Sequence, residues 1–243
     1  MSSPFPSITP HEIGWLTETQ MIEVDRVMID ELQISLIQMM ENAGRNLAGL
    51  VLDRFAPSTV TVLAGSGGNG GGGLVAARHL ANRGVDVAVT LGHPPEKLAP
   101  VPALQYSILR RMGVDVSPEP RESDVVVDAL IGYSLTGAPR GRIGELVAAT
   151  GDIGGRIVSL DTPSGLDVTD GAVPGIVVDA DATLTLALPK VGLRDTVHVG
   201  ELYLADISVP PSVYQAIGVG PAPDFSGSSI LEIVTTAHRR ATP

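Results

Sequence analysis

Seven of the nine residues from 65 to 73, GSGGNGGGG, are glycine, and the run joins a β-branched stretch (VTVLA, 60–64) to a helix-like one (LVAARHL, 74–80). Glycine allows positive φ and close backbone approach, so consecutive N–H groups in such a loop can line an anion cradle. A tight or flexible turn is the plainer alternative. There is no GK[ST], which excludes a Walker A loop. The next strand runs into Thr90, Leu91 and Gly92 with no acidic residue at its end, so a dinucleotide fingerprint is weakly supported.

Around this loop the chain alternates. Strands are predicted at 59–64, 85–91, 114–116, 124–130, 156–160, 182–188 and 201–207, and helices at 74–83, 98–112 and 143–150. Two helices precede them: one opened by Thr17 and Gln20 as a capping box, with Met21, Val24, Val27 and Met28 on one stripe, and one over 35–55. This pattern predicts a doubly wound, mostly parallel sheet between helical layers. The composition agrees, since 44% of residues are hydrophobic but only 3% aromatic, a mixture suited to parallel strands covered by helices. Residues 1–15 read as a loose lead-in and those after 219 as a Pro/Gly/Ser-rich tail.

The formal charge of -11 disfavours nucleic acid and acidic membrane surfaces. With no cysteine, disulfides, thiolate metal sites and cysteine nucleophiles are excluded. No signal peptide or apolar run of membrane-spanning length is recognisable, and a cytoplasmic protein is expected.

In an open parallel sheet, ligands bind outside the carboxyl ends of strands. Three such ends carry polar residues: the glycine loop with Asn69, the run VVVDALIGYSLTG (125–137) with Asp128, and IVSLDTPSGLD (157–167) with Asp161 and Ser164. Each aspartate is expected where a buried strand emerges into solvent, and each alone could simply cap a turn. Together with Asn69 and Ser164 they offer hard oxygens for a monovalent or divalent cation beside a ligand phosphate. Lys190, after a strand, could reach a phosphate or simply snorkel to solvent. His11, His79, His93, His198 and His238 lack zinc-ligand spacing. Thr162 stands where a GxSxG elbow needs glycine, which argues against a serine hydrolase.

Six segments taken in order, WLTETQMIEVDRVMIDELQIS, LIQMMENAGRNLAGLV, GSGGNGGGGLVAARHLANRGVDV, VVDALIGYSLTG, SLDTPSGLDVTDG and ADATLTLALPKVGL, resemble the YjeF N-terminal domain family, the NAD(P)HX epimerases, over roughly residues 15–210. The resemblance implies a Rossmann-like three-layer αβα sandwich, usually a homodimer, that interconverts the R and S forms of hydrated NADH and NADPH (NADHX and NADPHX) and holds a potassium ion (K+). It implies one domain over 1–243, with a core of about 15–210 and a tail of about 220–243. Carried over by position, Asp161 is the catalytic, substrate-contacting aspartate. Gly68, Asn69, Gly70, Gly71 and Gly72, with Gly132, Tyr133, Ser134, Leu135, Thr136, Gly137 and Ala138, form the substrate loops, and Asn69, Asp128 and Ser164 the potassium ligands. Gly68 and Gly72 stand where the family has asparagine and aspartate, so a catalytically impaired nucleotide-binding or protein-interaction module is the alternative. The dehydratase domain often fused to this family is not recognisable, and a separate NAD(P)HX dehydratase is the implied partner.

Overall fold

Short Val- and Leu-rich runs, buried on both faces, build the sheet. The computed structural model, which describes residues 3–234, contains in chain order β1 (Ser7–Ile8), α1 (Glu18–Arg26), a π-helical segment (Val27–Glu31), α2 (Leu36–Phe55), β2 (Thr59–Ala64), α3 (Gly68–Ala81), β3 (Asp86–Leu91), α4 (Pro100–Met112), β4 (Asp115–Val116), β5 (Val125–Ala129), α5 (Gly141–Ala149), β6 (Arg156–Leu160), β7 (Ala182–Leu186), β8 (Glu201–Ala205), α6 (Pro211–Ala216) and β9 (Ile230–Ile233). The strands form one sheet in the order β1-β9-β8-β7-β6-β5-β2-β3-β4. Among the described residues only the β8–β9 pair is antiparallel.

On one face Val60, Val62, Val125, Val127, Val158 and Leu160 pack against Leu47, Leu50, Leu74 and Leu80 of α2 and α3. On the other, Leu63, Val126 and Ile157 pack against Ile143, Leu146 and Val147 of α5. Helices α1 and α6 continue this second layer over Leu202 and Leu204 of β8. The result is the three-layer αβα sandwich with a mostly parallel sheet.

The capping box at Thr17 forms as expected, its hydroxyl accepting from the Gln20 N–H. Helix α3, however, begins at Gly68 rather than at 74, so the glycine run is mostly helix and only its first residues turn. Glycine in a helix costs roughly 1 kcal/mol each relative to alanine, and packing offsets it here. A Cβ on Gly70 would lie 1.9 Å from the Gly65 carbonyl oxygen, one on Gly71 2.4 Å from Met40 Sδ, and one on Gly73 2.5 Å from Ala129 Cβ. Likewise a Cβ on Gly44 of α2 would meet the Gly72 carbonyl oxygen at 2.5 Å. Helix α3 is glycine-rich because it lies almost backbone to backbone against its neighbours.

The lead-in and tail need correction too. Ser7–Ile8 pairs with Ile230–Ile233, which pairs with β8, so both segments finish one edge of the sheet. Two- and four-residue strands are too short to show alternation, and their partner lies almost the whole chain away. His238 and the end of the tail lie outside the described residues.

The order places β2 between β3 and β5. The chain runs outward through β3 and β4, then returns to lay β5 on the other side of β2. The crevice at this reversal, outside the carboxyl ends of β2 and β5, is where open α/β sheets bind ligands.

Candidate active site

A cavity of about 730 Å³ opens at that crevice, within the usual range for small-molecule and cofactor sites. Ser66, Gly67, Gly68, Asn69 and Gly72 line it from the β2 side, residues 130–140 from the β5 side, and Leu160 and Asp161 from the end of β6. Met21, Asp25, Met39 and Met40 of α1 and α2 close it over.

Asp161 follows β6 directly and adopts φ +68°, a left-handed conformation that aspartate tolerates better than most residues. Its N–H donates to the Leu184 carbonyl of β7 at 2.7 Å, which pins the turn and leaves the carboxylate at the cavity wall. Oδ2 accepts from the Tyr133 N–H at 3.1 Å, and Oδ1 pairs with Lys190 Nζ. Lys190 is 0% exposed, also donates to the Leu186 carbonyl at 2.9 Å, and stands behind Asp161 rather than in the cavity. It neither snorkels nor reaches for phosphate; it is a buried counter-ion.

Asn69 and Asp161 meet across Gly132. A Cβ on Gly132 would lie 3.3 Å from the Asn69 side chain and 3.3 Å from Asp161 Oδ2, so the loop after β5 passes between them in a tight fit. All seven loop residues from Gly132 to Ala138 line the cavity. Gly70 and Gly71, expected beside the substrate, do not: the close approaches of α3 bury them.

Asp128 corrects a second expectation. It lies inside β5 and is 0% exposed, and Asp161 is only 3% exposed, so neither strand end emerges into solvent. The Asp128 carboxylate accepts from Ser159 Oγ at 2.8 Å, Ser164 N at 2.8 Å, Ser164 Oγ at 2.6 Å and Leu130 N at 3.3 Å. Burial pushes its carboxyl up from the ordinary aspartate value, and these bonds pull it back. Ser164 Oγ in turn accepts from the Ile131 N–H at 2.9 Å, tying the Asp128 cluster to the residue before Gly132. Asp128 and Ser164 therefore sit beneath the cavity floor as a brace for its loops.

Both amide atoms of Asn69 and Nδ1 of His93, two residues that line the cavity, are buried without a partner. Arg140 stands exposed at the rim. The N-cap of helix α3 is Gly67, which supplies no side-chain cap to its first N–H groups.

Sequence reasoning missed Asp25, which lines the cavity and receives the Tyr133 O–H at 2.6 Å. Its signal was an acid four residues after Met21 on the buried stripe of α1. Burial, and beyond it Asp161, pushes the Asp25 carboxyl up, opposed by the Tyr133 bond and Lys190.

At Gly72, where the resembling family carries aspartate, a Cβ would come 2.7 Å from Leu160 Cδ2, so Leu160 occupies that space. At Gly68 the nearest atom is Met40 Cε at 3.9 Å, and the space is open.

A family model described as the YjeF-related protein N-terminus matches residues 36–192. A protein of Dehalogenimonas lykanthroporepellens named NAD(P)H-hydrate epimerase is 48% identical over 227 residues, covering 90% of this chain and 92% of the relative. One of the same name from Truepera radiovictrix is 39% identical over 189 residues, covering 75% and 84%. The bifunctional NAD(P)H-hydrate repair enzyme of Hyperthermus butylicus is 39% identical over 213 residues, and the match spans 81% of this chain but only 40% of that longer protein. The crystal structure of yeast ynu0 (YNL200c) superposes with a TM-score of 0.79 at 25% identity, covering 90% of this chain and 99% of that one.

Proposed function

The chain belongs to the YjeF-related protein N-terminus family, and from that premise we propose that it is an NAD(P)H-hydrate epimerase, an isomerase acting on hydrated NADH and NADPH at the β2–β5–β6 crevice. The observation that carries this reading is the meeting of Asn69, the 132–138 loop and Asp161 around one cavity. The 48% identical epimerase supports an enzyme over an impaired module despite Gly68 and Gly72.

In the hydrated ring the hydroxyl sits on the carbon beside the ring nitrogen, a hemiaminal. As that C–O bond breaks, the nitrogen lone pair forms an iminium, and the oxygen takes up a proton to leave as water. Water returns to the opposite face and releases a proton, giving the other epimer with nothing gained or lost. Asp161 is the carboxylate at the cavity wall, and in this role it faces the developing positive charge and passes the proton. Lys190 and the Tyr133 N–H hold its two oxygens and so fix its direction. The uncapped first turn of α3 and Arg140 suit the pyrophosphate, since helix N-termini bind anions through free N–H groups and the macrodipole.

Potassium belongs to the same reading. The donors fit chemically: Asn69 Oδ1 is buried with no partner, and Ser164 Oγ and Asp128 are hard oxygens that brace the same loop, at Ile131 and Gly132, that Asn69 packs against. Among the described residues no three His, Asp or Glu side chains gather as a divalent site would ask. A bound K+ would supply positive charge that orders the loops and faces the phosphates.

A homodimer is also part of the proposal, supported by exposed Ile22, Ile29, Leu32, Leu36 and Ile37 beside the cavity mouth. So are a cytoplasmic location and a separate dehydratase as partner in repair. Among the described residues no helix is long and apolar enough to cross a membrane.

The test supplies the purified protein with one NADHX epimer and follows the other by chromatography, in potassium and in sodium at equal ionic strength. Interconversion well above the spontaneous rate is expected, faster in potassium, and D161N should lose it while keeping the wild-type circular dichroism. Full activity in D161N would remove Asp161 from the mechanism; wild-type protein no faster than buffer would remove the epimerase.

A further inference from the structure

The cavity wall contains a contact that the reaction does not use. Tyr133 is held at both ends: its backbone N–H donates to Asp161 Oδ2 at 3.1 Å, and its phenolic O–H donates to Asp25 Oδ2 at 2.6 Å. Asp25 comes from α1 and Asp161 from the turn after β6, and the residue joining them belongs to the loop proposed to wrap the substrate. Immediately after Asp25 and Arg26 the helix widens into the π-helical segment Val27–Glu31, a distortion frequent at functional sites. The partner of Asp25 is a neutral phenol rather than a cation. The charged groups facing the pair are Lys190 and Asp161 toward Asp25, and Asp161 and Glu18 toward Tyr133.

We infer that Asp25 and Tyr133 form a latch that holds the 132–138 loop against α1 and, through the Tyr133 N–H, sets the direction of the Asp161 carboxylate. Asp25 is thus a positioning residue for the proposed epimerisation and not a catalytic one. The geometry explains why a half-buried acid is kept on an otherwise apolar stripe. Release of the phenol frees the ring, the ring frees the backbone of residue 133, and Asp161 loses one of its two fixed hydrogen-bond partners, retaining Lys190. The latch rests on the epimerase reading for its catalytic consequence and on the hydrogen bonds alone for its mechanical one.

The experiment compares Y133F, D25A, D25N and the double variant D25A/Y133F with wild type in two measurements. The first is hydrogen–deuterium exchange of the peptide covering 131–138 in the protein without substrate. The second is kcat and KM for epimer interconversion. Y133F removes the O–H and leaves the ring, D25A removes the acceptor, and D25N retains an acceptor oxygen. Faster exchange is expected at 131–138 in Y133F and D25A with β5 unchanged. A fall in kcat of about tenfold, larger than the change in KM, should accompany it, because a lost hydrogen bond to a charged group weakens what it orients by roughly that factor. D25N should restore exchange and kcat to within about threefold of wild type, and the double variant should be no worse than D25A, as for two residues acting as one unit. Unchanged exchange in both single variants, or losses that multiply in the double, would overturn the latch. If D25A fails to fold, Y133F, which changes a single oxygen, decides alone. Wild-type protein with no epimerase activity would end the catalytic reading, while the exchange measurement would still settle whether the loop is latched.

Discussion

At the scale of single residues, the glycines of α3 divide into those that pack and those that line the cavity. Gly70 has a backbone carbonyl 1.9 Å from where a Cβ would stand, whereas Gly68 has only the end of Met40 at 3.9 Å. G70A should therefore lose about 3 kcal/mol or more, an overpacking cost that backbone cannot relieve. G68A should stay within about 0.5 kcal/mol of wild type. Urea unfolding of the two variants separates them, and equal stabilities would contradict the packing account. The same reasoning explains which residue roles could be read beforehand. Asp161 was legible because a polar residue after a β-branched run marks a strand end, and Asn69 because it is the single amide in a run of glycines. Lys190 was not, because nothing local says whether a lysine among apolar residues turns outward or meets an acid 29 residues earlier. Gly70 and Gly71 were misplaced for the converse reason: a glycine shows that something comes close, without showing whether it is ligand or protein.

Among the elements, those whose cause is local were legible and those whose cause is distant were not. The Thr17 and Gln20 box fixes the start of α1, and short β-branched apolar runs mark β2 and β5. The start of α3 escaped because glycine propensity argues against helix until α2, α4 and β5 are in place to receive a bare backbone. β1 and β9 escaped because two and four residues carry no period, and their pairing is what defines them. Strand β9 covers β8 from Leu202 to Ala205 and is the strand on which β1 pairs. Removing residues 230–234 should unseat β1 and bare the β8 edge, which exposes a row of unpaired N–H and C=O groups. The shortened protein should melt several degrees lower and associate with time in light scattering. A truncated chain as stable and monodisperse as the full one would show that the edge contributes nothing.

For the whole molecule, the acidic groups respond to pH in opposite senses, and one of them can be isolated. The Asp25 carboxyl is raised above its ordinary value by burial, so the folded state holds that proton more tightly than the unfolded chain does. Its contribution to stability is complete below the ordinary aspartate pKa of about 3.9 and is lost as pH climbs through the higher folded value. D25N has no such loss. The unfolding free energy of wild type minus that of D25N should accordingly fall as pH rises from about 4 toward neutrality, the other carboxylates cancelling in the difference. A difference flat or rising over that range would mean that Asp25 ionises freely in the folded protein.

The clasp between the first strand and the last has a bearing on how the chain is made. On a ribosome the amino-terminal segment leaves the exit tunnel first, yet Ser7 and Ile8 find their neighbours only at Glu232 and Ile233. Until those residues are made the pairing edge is missing, and the Phe5 ring waits for Tyr203. Among the described residues none lining the crevice lies beyond Ile207, so the pocket can close while Ser7 and Ile8 are still unpaired.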